Sequence, residues 1–468
     1  MPTKAERKQL DATVAAFHAH YAAPVNGWGP ERWHDSLYPA LTKPTRYAAL
    51  VNQFVPRADV EKALVAEVPE DELRVVELPA LHGDDEKSER PKMVLYERAL
   101  ADVGRRDGEE DVGEEKEKGK GKGKQKLAEN LKHHLPFPPP KPTTIHLSPA
   151  SQQQPQQQQQ LLTHWNMDAA SALAAHMLDV QPGDKVLDLC SAPGGKSVAL
   201  AQLIFASQHH HHHHHNQHQH QHQQPPHPTQ TTDPPQASGC LHTNEPDGPR
   251  AKRLLANLRC YLPQSLFTPP TKAVQTFSLD ASIASRFLSA LPHGAAGYDR
   301  VLLDAPCSSE RHVIQAHARA ATAGRIADDD MARWRPGASR ALQKTQVGLL
   351  VTALRAVRVG GRVLYSTCSV ERGENDGVVE RVREVLEKER RKESVWVRGW
   401  DVRVEMGRKG ERGGGGEGER EAWERVERGL KLWAEETEHG RIAVPDVGEG
   451  RWGPLFFCVI TKVERAEK

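Results

Sequence analysis

From about residue 165 onward, short apolar runs alternate with longer segments that are apolar on one side only. Val186-Leu187, Ala273–Phe277, Val301-Leu302-Leu303, Arg362–Ser366 and Pro454–Thr461 are brief and rich in β-branched or aromatic residues. Runs of this length and composition read as buried strands. Between them, segments 197–206, 251–262, 282–291, 339–357 and 374–390 carry apolar residues at helical spacing. Gly360-Gly361 predicts the end of the long fourth helix. Strands alternating with helices predict an α/β fold built on a doubly wound, mostly parallel sheet.

The rest of the chain has other patterns. Leu10, Val14, Phe17 and Tyr21 recur at helical spacing, and an aromatic-rich stretch with Trp28, Trp33 and Tyr38 follows. Residues 1–103 therefore read as a small helical N-terminal region. Residues 104–160, with the run EEKEKGKGKGKQK, a Pro-rich stretch and a Gln tract, read as a low-complexity linker. Residues 161–468 read as one domain carrying two disordered inserts. One, at 207–237, is a His, Gln and Pro tract that holds metals only adventitiously. The other, at 406–421, is Gly-rich and charged.

Composition narrows the function classes. With 468 residues and a formal charge of +1, the chain carries no global field that would draw it to polyanions. A hydrophobic share of 37% fits a folded domain diluted by polar inserts. No apolar run reaches the roughly 18 residues of a membrane span. The six cysteines are scattered and form no CxxC pair, so neither a disulfide framework nor a zinc site is expected. Lys4, Arg7 and Lys8 lie on an amphipathic stretch, but Glu6 and Asp11 interrupt a mitochondrial presequence pattern.

Three strand ends concentrate the chemistry. In open α/β sheets the carboxyl ends of the strands are where ligands bind. The first end runs into Cys190-Ser191-Ala192-Pro193-Gly194-Gly195-Lys196, a Gly-rich turn that lets backbone amides approach a ligand at the start of a helix. It lacks both the GxGxxG and the GxxxxGK[ST] spacing, which favours a nucleotide-like cofactor without a pyrophosphate. Glu245 closes the next strand and suits ribose hydroxyls, and Asp280 at a further strand end suits an exocyclic amine. Alone, each acid reads as a helix cap or a surface charge. Together with Asp304, at successive strand ends, they read as a ligand set. The remaining two ends carry thiols, Cys307 after Asp304-Ala305-Pro306 and Cys368 after Thr367. A free thiol has a pKa near about 8.5 and needs help to react. Arg311, Arg335, Arg340 and Lys344 lie nearby in sequence as sources of positive potential or backbone contacts. An inert buried pair of cysteines is the other reading.

The motifs VLDLCSAPGGK (186–196), YDRVLLDAPCSSERH (298–312) and GGRVLYSTCSVERGENDGVV (360–379) resemble those of the Sun-domain RNA (cytosine-5) methyltransferases. MDAAS (167–171), RWRPGASRALQKTQVGLL (333–350) and GPLFFCVI (453–460) add to the likeness, and YAALVNQF (47–54) is similar to the mitochondrial rRNA and tRNA subgroup. The resemblance implies a Rossmann-like methyltransferase sheet, S-adenosylmethionine as cofactor and RNA as partner, rRNA ahead of tRNA, with a mitochondrial location. By the same resemblance Cys190 to Lys196, Glu245, Arg250, Asp280, Ala281 and Asp304 bind the cofactor, Gly194, Gly195 and Lys196 at its methionine end. Cys368 is then the nucleophile, Cys307 the second cysteine and Asp304 the acid beside the base. Glu245 stands where the family usually has Asp, and Ala281 where the subgroup has Gly. Whether a protein partner targets the RNA is left open. Two rivals remain: a non-catalytic RNA-binding assembly protein that keeps the fold, and a DNA cytosine methyltransferase with its nucleophile at the position of Cys307. All of this requires Cys307 and Cys368 to face one another.

Overall fold

The computed structural model describes residues 3–24, 27–81, 91–99, 139–147, 157–215, 239–294, 296–322, 330–408, 417–447 and 452–465. Helix α1 (Lys4–Tyr21) opens with a reciprocal cap between Thr3 and Glu6 and buries Leu10, Phe17 and Tyr21. A helical stretch over 30–42 buries Trp33, Leu37 and Leu41 against it. The N-terminal region is not purely helical. Strand β1 (Ala48–Val51) is followed by α2 (Arg57–Val65), β2 (Leu73–Val75) and β3 (Leu95–Arg98). Strands β4 (Pro142–Leu147) and β5 (Gln157–Leu162) pair with each other, and β6 (His164–Met167) leads into α3 (Ala169–Met177).

The order β2-β3-β1-β6 makes a four-stranded antiparallel sheet. This corrects the reading of residues 1–103 as a helical region. Ala48-Ala49-Leu50-Val51 is buried throughout, so it lacks the polar alternation that marks a half-buried strand. The stretch read as a linker is also shorter than expected, because β4 and β5 pair within it; 104–138 lies outside the described residues.

The larger sheet follows the expected alternation. It contains β7 (Lys185–Asp188), α4 (Gly195–His215), β8 (Cys240–Asn244), α5 (Gly248–Tyr261), β9 (Val274–Phe277), α6 (Ala284–Ala290), β10 (Tyr298–Asp304), α7 (Glu310–Thr322), α8 (Ser339–Ala356), β11 (Val357–Thr367) and α9 (Asp376–Arg391). The closing elements are β12 (Trp400–Val404), α10 (Glu417–Lys431), β13 (Glu435–Glu436), β14 (Arg441–Ala443) and β15 (Leu455–Glu464). The order is β13-β14-β15-β11-β10-β7-β8-β9, with β12 also pairing β15. Strands β9, β8, β7, β10 and β11 are parallel, and β15 runs against β11. The chain winds outward from β7 through β8 and β9, then resumes on the other side at β10. The β7–β10 boundary is therefore a topological switch point, where a crevice opens at the strand ends.

Side chains alternate across this sheet. Leu302, Leu364 and Val459 join α3, α4, α5 and the smaller sheet in one core; Val301, Leu303, Val363 and Ile460 join α1, α8 and α9 in the other. Three boundaries differ from the sequence reading. Helix α4 runs on through the His tract to His215, while 216–238 lies outside the described residues. Helix α10 begins inside the expected insert at 406–421, of which 409–416 is not described. Helix α8 ends at Ala356, and Gly360-Gly361 lies inside β11. A Cβ at Gly361 would meet the Asp299 carbonyl of β10 at 2.7 Å, so that glycine serves close strand approach.

Candidate active site

The three strand ends meet. Strands β10 and β11 are adjacent and in register, Asp304 opposite Ser366, so the loops that follow them run side by side. The Cys307 and Cys368 sulfurs are 3.1 Å apart. Ser309 adds a third group, its hydroxyl 2.8 Å from the Cys368 sulfur and 3.5 Å from that of Cys307. Its backbone has φ +50°, the left-handed region, which turns the chain abruptly after Cys307.

These neighbours make the two thiols unequal. The Cys307 hydrogen bond holds Cys368 below the ordinary thiol range; burial opposes this, and Ser309 and the Lys196 ammonium assist it. Cys307 is pushed well up, first by its bond to Cys368, then by burial and the charge of Cys368. In this arrangement the Cys307 S–H and the Ser309 O–H favour the thiolate form of Cys368 by donating to it. Such a thiolate is a ready nucleophile.

A ledge of charge separates the thiols from the glycine turn. Lys196, at the start of α4, reaches Asp304 at 2.7 Å and Ser171 at 3.3 Å; Ser366 donates to the other Asp304 oxygen at 2.9 Å. Burial disfavours the Lys196 ammonium, but the Asp304 carboxylate outweighs it and raises the pKa. Beside this pair lies a cavity of about 210 Å³, lined by Cys190, Ser191, Ala192, Pro193, Gly195, Lys196 and Asp304 as expected. Trp165, Asn166, Met167, Ser171 and Asp188 line it as well. A Cβ at Gly195 would lie 2.7 Å from the Trp165 indole nitrogen, so the turn needs glycine there. Gly194 has φ +119°.

The remaining expected residues divide. Glu245 is buried at the end of β8 and pairs with Arg250 at 3.3 Å, and Arg250 reaches the Ala192 carbonyl at 3.4 Å, so both flank the turn. Asp280 is exposed beyond β9, outside the cavity lining. Its carboxyl is held low first by the Ser282 side chain and also accepts from the Ser282 backbone N–H at 2.9 Å. Ala281 is buried, and its carbonyl accepts from Thr352 at 2.8 Å. Cys190 lines the cavity, but burial, reinforced by Asp188, pushes its thiol far up, so it stays protonated.

Arg311 corrects the sequence reading. It is buried and donates to the carbonyls of Gly453, Lys43 and Pro44, so it ties α7 to the N-terminal region and is withdrawn from any nucleic acid. Arg335, Arg340 and Lys344 are exposed.

Sequence reasoning passed over several residues. Asp188 is buried, with its carboxyl pushed up to about 6, chiefly by burial. One oxygen accepts from Ser197 at 2.6 Å, while Oδ1 has no hydrogen-bond partner. Its signal was present, an acid closing an apolar run as Asp304 does. Glu310 gathers donors from both cysteine loops: the hydroxyls of Ser308 and Ser369, the Val370 N–H at 3.0 Å, and Tyr21 of α1 at 2.8 Å. Glu374 accepts from the Ser308 N–H at 3.1 Å and from Gln346 at 2.9 Å. Burial is the main cause of its carboxyl standing at about 7.

Comparison with known proteins bears on the same segments. Residues 233–410 match the family described as 16S rRNA methyltransferase RsmB/F. The 5-cytosine rRNA methyltransferase NSUN4 of Xenopus tropicalis is 29% identical over 306 residues, 65% of this chain and 57% of that protein. The mitochondrial tRNA (cytosine(34)-C(5))-methyltransferase of Danio rerio is 34% identical over 222 residues, 47% of this chain and 46% of that protein. The chain thus spans about half the length of these curated relatives. A solved methyltransferase homologue from Pyrococcus horikoshii overlays with a TM-score of 0.46 at 16% identity, covering 99% of this chain and 100% of that one. The matched segment, less than half of the chain, runs from β8 through both cysteine loops to β12, and over that segment the chain is similar to the RsmB/F family.

Proposed function

We propose that this chain is an RNA (cytosine-5)-methyltransferase that uses S-adenosylmethionine and works through a covalent bond between Cys368 and carbon 6 of the target cytosine. The observation that carries the reading is the 3.1 Å approach of Cys307 to a Cys368 held toward thiolate. The relatives named for rRNA and mitochondrial tRNA support RNA as substrate, rRNA or tRNA, and the name of the tRNA relative supports a mitochondrial location. Among the described residues, no helix is long and apolar enough to cross a membrane.

The cavity suits the cofactor. The glycine turn offers backbone amides, and the orphaned Asp188 Oδ1 offers a buried acceptor for a ligand donor. Gly194, Gly195 and Lys196 would hold the methionine end, Glu245 with Arg250 the ribose, and Asp280 with Ala281 the adenine side. Bound there, S-adenosylmethionine supplies an electrophilic methyl group.

The chain's own groups do the rest. The target base leaves its stack to reach the buried sulfurs. Cys368 adds to carbon 6, the 5,6 double bond opens, and carbon 5 becomes enamine-like. A proton carried by Asp304, at the mouth between cavity and thiols, is donated to ring nitrogen 3 and neutralises the charge that develops there as Cys368 adds. Once Cys368 is bonded to carbon it is no longer an anion. The main cause of the raised Cys307 pKa then disappears, so Cys307 gives its own proton to solvent and, as a thiolate, takes the carbon-5 proton. Loss of that proton restores the double bond and expels Cys368.

The test is methyl transfer from labelled S-adenosylmethionine to rRNA and tRNA transcripts by the wild-type chain and by Cys368→Ala. Loss of transfer in the variant is expected, and undiminished turnover overturns the assignment. Cofactor binding without methylated product on any RNA favours the non-catalytic reading. An adduct through Cys307 favours the DNA-type arrangement.

A further inference from the structure

No pair of cysteines in this chain is spaced for zinc, yet the fold assembles one sulfur and two imidazoles at the amino-terminal edge of the parallel strands, away from the cavity. Cys240 and His242 are two apart on β8, so they leave the same face of the sheet. His293 arrives from the turn between α6 and β10. Candidate ligand atoms of the three lie within 4.8 Å of one another. The rings of His242 and His293 are stacked, 9° from parallel with centroids 5.3 Å apart. Cys240 and His242 are buried and His293 is half-buried.

The geometry points to a binding site for a thiophilic d¹⁰ cation of the Zn²⁺ class, held by Cys240, His242 and His293. A thiolate with two imidazoles selects zinc over the oxygen-seeking magnesium and calcium. Three protein ligands leave one position of a tetrahedral ion to water, and the half-buried His293 side is where water has access. Zinc bonds of about 2.0–2.3 Å place ligand atoms roughly 3.5–4 Å apart, so the cluster closes by about 1 Å and the half-buried His293 ring turns out of the stack to aim its in-plane lone pair at the ion. His242 also has the orienting partners a ligating imidazole uses. With the metal on Nε2 in place of the Gln275 amide 3.3 Å away, Nδ1–H donates to Tyr298 Oη at 2.7 Å, which fixes the tautomer and the ring. Lys185 and Asp299 are the charged groups facing the cluster, and their opposite signs offset one another. An ion here would tether the start of β8 to the turn that feeds β10.

A run of histidines at 209–215 makes metal uptake alone an unspecific signal, so the readout must see sulfur. The full chain, stripped with chelator under a phosphine reductant, is titrated with Co²⁺ and followed by its sulfur-to-cobalt charge-transfer absorption. The wild type develops the band, Zn²⁺ abolishes it by displacement, and Cys240→Ser lacks it. An undiminished band in Cys240→Ser assigns the cobalt to another thiol and overturns the proposal, as does no band in the wild type. His293→Ala, at a half-buried position, guards against misfolding. It should weaken Co²⁺ binding at least tenfold and lose the rise in melting temperature that one equivalent of Zn²⁺ gives the wild type. An equal rise in His293→Ala overturns the site.

Discussion

Ser309 presents its hydroxyl to the Cys368 sulfur at 2.8 Å, across the gap between two strand ends. It reaches that sulfur because its left-handed backbone folds the loop back after Cys307. The hydroxyl donates to the thiolate and lowers the Cys368 pKa. Ser309→Ala removes the donor, so the acid limb of the pH–rate profile moves up by about one unit, and the rate near pH 7 falls roughly tenfold. The rate at high pH, where the thiol ionises unaided, is retained. Single-turnover methylation across pH checks this, and an unmoved acid limb removes Ser309 from the role.

Cys307→Ala acts at two stages. It removes the largest contribution to the lowered Cys368 pKa, so adduct formation shifts to higher pH. It also removes the sulfur assigned to release, so a protein–RNA adduct accumulates and survives a denaturing gel. Free turnover without a trapped adduct would assign release to another group.

Glu374 sets a pH dependence of stability. Its folded pKa of about 7 stands above the ordinary 4.5, so the neutral acid is the form the fold favours. Its contribution is fully present below pH 4.5, is lost as the pH rises through about 7, and totals roughly 3 kcal/mol. Glu374→Gln holds a neutral group at every pH. Urea denaturation from pH 4 to 8 should show the variant gaining on the wild type as the pH rises. A constant difference would place the titration elsewhere.

Tyr21→Phe keeps the ring in its aromatic cluster and deletes only the bond to Glu310. Removing a buried donor to a carboxylate costs about 1–3 kcal/mol. Methyl transfer falls as well, because Glu310 braces the loops of both cysteines. Urea midpoints together with initial rates measure the two effects. Unchanged stability would mean that α1 does not support those loops.

The parallel strands were legible because buried runs such as Val301-Leu302-Leu303 end at Pro or Gly, and the thiol pair because both cysteines follow adjacent strands. The smaller sheet was not. Ala48–Val51 is short and buried on both faces, which erases the period-two signal. Glu310 was hidden for another reason: its partners Tyr21, Ser369 and Val370 are distant in sequence, and only folding reveals them. Arg311 was misread because its charge suggests a surface, whereas its two terminal nitrogens donate to three carbonyls from remote segments. His293 lacked any spacing to Cys240 that a motif would notice.

Strand β6 belongs to the smaller sheet, pairing Met167 with Ala48, yet Trp165, Asn166 and Met167 are one wall of the cavity. Occupancy and the integrity of that sheet are consequently thermodynamically linked. A molecule seated against β6 adds to the work needed to peel β1 away, and fraying of β1 weakens retention of the molecule by the same factor. Amide exchange at Ala49 and Leu50 is therefore a gauge of cavity filling, read from a segment that touches no ligand.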